Sequence, residues 1–121
     1  MTWTYEQKTG ILRHNGEFII SGYAGFGEGQ NQPSKQCVSN VGPLPRGKYI
    51  MKELILNHKH MGPYIIRLEP DPSNNMCGRS GFYIHGDSIK NPGTASTGCI
   101  ILRKIHREKM WKSNDKNLEV K

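Results

Sequence analysis

The sequence predicts a small, mainly β domain, a sandwich or barrel with one short helix near its C-terminal end. Three observations carry that expectation. Apolar residues fall in short runs and period-2 alternations rather than at helical spacing. The chain holds 14 Gly and 7 Pro in 121 residues, so a large share of it must be turn and loop. Its hydrophobic fraction is 35% and its mean hydropathy −0.65, enough for one economical core. Residues 1–121 are therefore expected to form a single domain, with no internal repeat or linker.

Residues 3–7, 10–14 and 17–21 read as three short strands, with Asn15-Gly16 between the last two as a tight hairpin turn. They open the domain as an antiparallel meander. Residues 22–36 follow, and four glycines in eight residues exclude a regular element there. The stretch lacks the Gly-Lys-Ser/Thr ending of a phosphate loop, so it is expected to be an irregular surface loop lining a cleft. In Gly42-Pro43-Leu44-Pro45-Arg46-Gly47 the prolines deny ladder donors and fix an extended approach to a strand over 48–54. A strand over 63–68 comes next. Residues 81–85 and 98–102 read as two buried central strands. Residues 103–112 carry Ile105, Met110 and Trp111 loosely at helical spacing and are read as the short helix, its basic residues forming a solvated face. The remaining tail is polar and is expected to fray.

The formal net charge is +7 with a pI near 9.5, so the surface attracts polyanions. The cations are scattered, without the basic stripe or aromatic stacking motif of a nucleic-acid module, and no nucleic-acid partner is expected. No apolar run approaches the ~20 residues that span a bilayer, and the first residues lack the basic and apolar regions of a cleaved signal. The chain is thus read as made in the cytoplasm and either retained there or exported by a route without a cleaved signal. Of three cysteines, Cys37 and Cys77 lie in polar, turn-rich segments, whereas Cys99 lies between a glycine and an apolar strand. Two readings stand: a Cys37–Cys77 bridge that leaves Cys99 as the reactive thiol, or three unpaired thiols. His58 and His60 share one strand face, but without a compact ligand spacing they are not read as a metal site.

The informative stretch is Tyr83-Ile84-His85-Gly86-Asp87 followed by Thr94-Ala95-Ser96-Thr97-Gly98-Cys99-Ile100. One strand delivers a histidine at its end, and about a dozen residues later a glycine precedes a cysteine at the start of the next apolar strand. If the strands are neighbours, imidazole and thiol meet across the loop. A thiol with a pKa of about 8.5 is mostly protonated at neutral pH, and an adjacent imidazole that takes its proton makes it a nucleophile toward carbonyl carbon. Gly98 permits close backbone approach, and the amides around Gly98 and Cys99 are candidates for an oxyanion site.

This arrangement resembles the catalytic motif of the L,D-transpeptidases, a histidine–glycine pair ahead of serine/threonine-x-glycine-cysteine. More closely, the chain resembles the small L,D-transpeptidase-like toxins of bacterial type VI secretion, the Tlde1 family. The likeness covers Trp3-Thr4-Tyr5, Gly22-Tyr23-Ala24-Gly25, the segment from Gly42 to Tyr49, Gly78-Arg79-Ser80-Gly81-Phe82, Ile84-His85-Gly86-Asp87 and Ala95 to Ile100. It implies an L,D-transpeptidase-like fold and an enzyme acting on peptidoglycan stem peptides without metal or cofactor. Cys99 would be the nucleophile and His85 its base, with Gly98, Ser96, Thr97, Arg79, Gly86 and Asp87 in oxyanion or substrate-binding positions. The implied activity is removal of the terminal D-Ala from tetrapeptide stems, or its exchange for another D-amino acid. The implied setting is the periplasm of a target cell, with a secretion apparatus and a periplasmic immunity protein as partners and no insertion into the membrane. A non-catalytic peptidoglycan-binding module is the alternative.

In one respect the chain departs from the larger family, which places a second His before the Gly-Cys pair and an Arg two residues after the Cys. Thr97 and Ile101 stand there. Arg79 or Arg103 is the expected replacement for the carboxylate-holding cation, with Arg79 preferred. Arg79 has a structural reading too, tying its loop to a carbonyl. Asp87 is read as holding the loop after His85 through an Asx turn, ahead of a direct catalytic role. Ser96 is read as either a donor to substrate or a group orienting His85.

Overall fold

The computed structural model describes residues 2–121. Three short strands open it: β1 (Trp3–Tyr5), β2 (Ile11–His14) and β3 (Glu17–Ser21), paired as the expected meander. Asn15 and Gly16 both have positive φ (52° and 84°), the twist a two-residue hairpin requires. After the irregular segment, which includes two single-turn 3-10 pieces, come the long strands β4 (Gly47–His58) and β5 (Gly62–Pro70), an antiparallel pair. Next are β6 (Tyr83–His85), β7 (Ile100–Ile101), the helix α1 (Lys104–Lys112) and β8 (Asn117–Val120).

All eight strands belong to one sheet in the order β3-β2-β1-β8-β4-β5-β6-β7. The sheet curls back on itself: just past β3, Tyr23 bridges Ile101 of β7, with Ile101 N–H donating to the Tyr23 carbonyl at 2.8 Å. The two edges thus meet at one point, a barrel-like closure that protects the β7 edge.

Two expectations are corrected. The tail is not frayed: residues 117–120 form β8, which runs parallel to β1 and antiparallel to β4 in the middle of the sheet. Its short Leu118/Val120 alternation buries both apolar residues while Asn117 stays exposed. The strands at His85 and Cys99, expected to be central, are only three and two residues long; Cys99 itself lies one residue before β7, which is the last strand in the order.

The core is built from the inward faces of these strands, with Trp3, Tyr5, Leu12, Tyr49, Ile84, Ile100 and Leu118 buried. The helix docks through Met110, which is fully buried and contributes about 2 kcal/mol by removal from water. Arg107 on the same helix is buried too, contrary to the solvated face expected for residues 103–109. Its guanidinium donates to the carbonyls of Tyr64 and Pro63 (2.9 Å each) and of Leu102, hooking α1 onto the start of β5 and the end of β7. Cys37 and Cys77 are disulfide-bonded, with Cα atoms 5.2 Å apart and a separation of 40 positions in sequence. The bridge ties the segment before Gly42 to the loop before β6.

Candidate active site

The site begins with β6 and β7, which lie side by side and parallel, Ile84 opposite Ile100 and His85 opposite Ile101. Parallel register sends residues two apart to the same face. Stepping back one residue on each strand sets Tyr83 beside Cys99, and the Tyr83 N–H indeed donates to Cys99 Sγ at 3.3 Å. His85 and Cys99 line one cleft of about 550 Å3, together with Tyr83, Gly86, Asp87 and Thr97. A smaller hollow of about 270 Å3 lies on another side of Cys99, bounded by Ser39, Asn40, Phe82, Thr97 and Gly98.

His85 is buried, with 6% of its surface exposed. Its Nδ1 lies 2.9 Å from the Gly86 carbonyl, which can only accept, so Nδ1 carries the proton and Nε2 keeps its lone pair. Burial is the largest influence on its pKa and lowers it from 6.5; the Gly86 carbonyl opposes this, while the Arg107 charge and His58 add to the lowering. The half-buried Cys99 thiol is pushed up by burial, against the pull of the Tyr83 N–H and the Arg79 charge. Both shifts favour the neutral forms. The resting pair is a neutral thiol, which donates to the Gly81 carbonyl at 3.9 Å, and a neutral imidazole lining the same cleft.

The remaining residues singled out by sequence divide by what they touch. Ser96 is fully buried. Its Oγ accepts from the amides of Gly25 (2.9 Å) and Gly98 (3.0 Å) and donates to the Cys99 carbonyl (2.6 Å). It faces neither substrate nor His85; it fixes the backbone of the nucleophile. The Gly98 amide is thereby taken, which corrects its assignment as an oxyanion donor and leaves the Cys99 amide as the candidate. Gly98 is required by space, since a Cβ there would fall 2.6 Å from Arg79 Nη2 and 2.8 Å from the Phe82 ring.

Arg79 is likewise corrected. Only 8% of it is exposed, and its two terminal nitrogens donate to four carbonyls: Gln36 (2.6 Å) and Pro43 (2.9 Å) from Nη1, Gly42 and Thr97 (3.0 Å each) from Nη2. All four Nη protons are spent, so Arg79 cannot offer the paired donors that hold a carboxylate. It clamps the 36–43 segment to the loop before Cys99, and only its charge reaches the thiol.

Asp87 does close the loop after His85, but not through the Asx turn expected, which would engage the amide two residues on; it bonds the next residue and one six residues away instead. One of its oxygens accepts from the Ser88 amide (2.8 Å), the Gly93 amide (3.1 Å) and the Tyr23 hydroxyl (2.5 Å). Tyr23 accepts in turn from the Ala95 amide (3.0 Å). Burial and this bond to Asp87 raise the Tyr23 phenol to about 12. Gly86 sits over Arg107, whose Nη1 would be 3.2 Å from a Cβ. Thr97 is exposed and lines both hollows beside the nucleophile.

Three participants were missed in sequence: the Tyr23 hydroxyl, the Tyr83 amide and Arg107. The first carried a signal, a lone tyrosine in a glycine-rich loop. The second carried none, because a backbone group has no letter. No cluster of three or more metal-ligating side chains forms among the described residues; His58 Nδ1 accepts instead from the amides of His60 and Met61 (3.1 Å each).

The Tlde1 domain model matches residues 19–121. No curated protein matches the chain. Among solved structures, it is similar to a crystal structure of an L,D-transpeptidase (Yku) from Stackebrandtia nassauensis, at 13% identity and a TM-score of 0.53, covering 99% of this chain and 54% of that one. It is similar also to the L,D-transpeptidase (residues 123–326) from Xylanimonas cellulosilytica, at 14% identity and a TM-score of 0.55, covering 99% and 59%. The chain thus spans little more than half the length of these structures, and at such identity the likeness establishes the fold, which is that of the L,D-transpeptidases.

Proposed function

The chain belongs to the Tlde1 domain family, and from that premise we propose that it is a cysteine enzyme that removes or exchanges the terminal D-Ala of peptidoglycan tetrapeptide stems. The observation that carries the reading is the pairing of β6 with β7, which brings a buried imidazole with a free Nε2 lone pair into the cleft of the chain's one free thiol.

Substrate binds with the carbonyl of the L-centre of diaminopimelate against Cys99 Sγ. His85 Nε2 takes the thiol proton as sulfur forms its bond to carbon, and the carbonyl π electrons move to oxygen. The Cys99 amide stabilises that oxyanion. As the C–N bond breaks, the imidazolium returns its proton to the leaving amine, and D-Ala departs with a neutral amino group. A thioester remains. Water activated by His85 hydrolyses it, giving a tripeptide stem, and a free D-amino acid attacking in its place gives the exchanged stem.

The protein acts as an antibacterial effector in the periplasm of a target cell, delivered by a secretion apparatus and countered by a periplasmic immunity protein. Two features support that setting: the disulfide, which persists in oxidising compartments, and the net charge of +7, which suits a wall rich in carboxylates.

The test is mass spectrometry of muropeptides after incubation with wild type and Cys99→Ala, with and without an added D-amino acid. Tripeptide or exchanged products from wild type alone support the reading. Unchanged tetrapeptides with Cys99 in its reduced form overturn it, and binding that survives in both proteins without any chemistry would make the domain a wall-binding module.

A further inference from the structure

The cleft of Cys99 and His85 does not stop at the loop after His85. It runs on into a hollow of about 630 Å3, and His60, Met61, Gly86, Asp87 and Ser88 line both parts. Together they make one trough, with the 86–91 loop on one bank and the β4–β5 turn on the other. The far part has its own chemistry. Lys90 and Lys104 line it, both exposed, and neither is ion-paired with a carboxylate among the described residues. Asp87, the one acidic residue lining the trough, has its oxygens held by Tyr23, Ser88 and Gly93, and its single negative charge is outnumbered by the cations Lys90, Lys104 and Arg107. Arg107 at the base is held by three carbonyls but leaves its charge in place. Ile89, 97% exposed, and Pro63 add apolar surface. Lys104 is the first residue of α1, where a cation opposes the helix dipole, so its placement does not serve the helix.

We infer that this hollow is a carboxylate-binding subsite for the substrate peptide, with Lys90 and Lys104 as its cations. The inference rests on the reading of Cys99 and His85 given above and extends it to the ligand's chemistry. The ligand is a peptide carrying free carboxylates close to the scissile carbonyl; in a stem these are the α-carboxylate of the γ-linked D-glutamate and the D-centre carboxylate of diaminopimelate. An extended chain advances about 3.3–3.6 Å per residue, so groups one or two residues from the reacting carbonyl fall into the adjoining part of a trough that begins at Cys99. The subsite supplies the carboxylate-holding charge that Arg79, bound to four carbonyls, and Ile101, an aliphatic residue, do not.

The experiment measures kcat and KM for Lys90→Glu/Lys104→Glu on tetrapeptide muropeptides with free and with amidated carboxylates. Reversing two exposed charges beside an anionic ligand is expected to raise KM for the free acid roughly tenfold, an effect that shrinks in high salt. The turnover number is expected to change less than about twofold, because a contact made equally in ground and transition states moves KM alone. The amidated substrate is expected to respond less than about twofold to the same variant. Lys8→Glu/Lys121→Glu, the same charge change at two exposed positions that do not line the trough, controls for net charge. The single variants Lys90→Met and Lys104→Met, each expected to raise KM roughly threefold, serve if the double variant misfolds. An unchanged KM, or an equal rise on free and amidated substrates, overturns the inference. A second arm titrates Cys99→Ala with the same muropeptides by calorimetry, with and without the lysine changes. Discrimination of free from amidated ligand that vanishes with the lysines, in the absence of cleavage by wild type, would sustain the subsite while overturning the enzymatic reading. No discrimination in either arm overturns the subsite alone.

Discussion

Replacing Arg79 by Met separates two roles that a buried arginine beside a nucleophile can have. If Arg79 held the substrate carboxylate, its loss would raise KM and leave the fold intact. The structure gives it the other role: four carbonyls, from Gln36, Gly42, Pro43 and Thr97, lose their donors together. Each buried acceptor left unpaired costs about 1–3 kcal/mol. Water will reach some of them, and removing a partly desolvated guanidinium recovers part of the loss, so a net cost of about 4 kcal/mol is expected. For 121 residues the unfolding entropy near the midpoint is about 0.25 kcal/mol/K. The midpoint should therefore fall by about 16 °C in a calorimetric scan. The kinetic signature is a fall in kcat, because the Thr97 carbonyl lies two residues from Cys99 and its displacement shifts the nucleophile. Arg79→Lys should lie between, since one ammonium cannot span the four acceptors of a planar fork. A Met variant melting within about 3 °C of wild type with KM raised tenfold would refute the clamp and restore the carboxylate role.

Other consequences are as direct. Because burial lowers the His85 pKa, the acid limb of kcat/KM should lie below pH 6.5, and a limb at or above pH 7 in a rate profile would contradict the neutral resting pair. The same shift sets a stability sign: between the lowered folded value and about 6.5 the unfolded chain binds more protons, so unfolding free energy should rise with pH across that window and fall as pH drops through it, an increment that His85→Gln should abolish in pH-dependent denaturant titrations. Cys37→Ser/Cys77→Ser removes a bridge across 40 residues and should cost roughly 4 kcal/mol in urea unfolding, with cleavage activity falling because the bridge joins the 36–43 segment to the loop that carries Arg79. Tyr23→Phe strips the 86–95 loop of its contacts to Asp87 and the Ala95 amide; it should cost about 1–2 kcal/mol and speed hydrogen exchange at Ala95, and unaltered exchange there would argue against Tyr23 as the loop's anchor.

The strands were legible where apolar residues gather in short runs bounded by turns, as Ile11-Leu12 in β2, Phe18-Ile19-Ile20 in β3 and Tyr64-Ile65-Ile66 in β5, and where a turn has its own chemistry, as at Asn15-Gly16. They were illegible where the partner is distant in sequence. Leu118 and Val120 are a weak pattern alone and become a strand because β1 and β4 stand on either side of them. Cys99 and His85 could be named because their chemistry depends on residue type. The work of Ser96 could not be read, and that of Arg79 only as one of two readings, because both act on main-chain groups: a serine oxygen meets two amides and a carbonyl, and a guanidinium meets four carbonyls. Arg107 looked solvated among Arg103, Lys104 and Lys109, yet its donors satisfy carbonyls at the helix's docking site, which local charge patterning does not reveal.

These backbone contacts bear on specificity as well as on assembly. Most polar side chains around Cys99 are consumed in holding loops: Ser96 between the 24–25 and 98–99 segments, Arg79 between 36–43 and 97, Asp87 with Tyr23 across 86–95. What remains beside the thiol to face a substrate is the imidazole, the Thr97 and Tyr83 side chains and main chain, with His60, Met61 and Ser88 farther along the cleft. Such a site activates a carbonyl but has little means of choosing one acyl group over another, since backbone donors read geometry and not side-chain identity. Discrimination has to come from the surfaces that the nucleophile's supports do not use. Along the trough those are the cations Lys90 and Lys104 with Ile89 on the same loop as Lys90, which is why, on the function proposed above, charge reversal there is expected to alter which stems are bound while the rate of acyl transfer stays close to its original value.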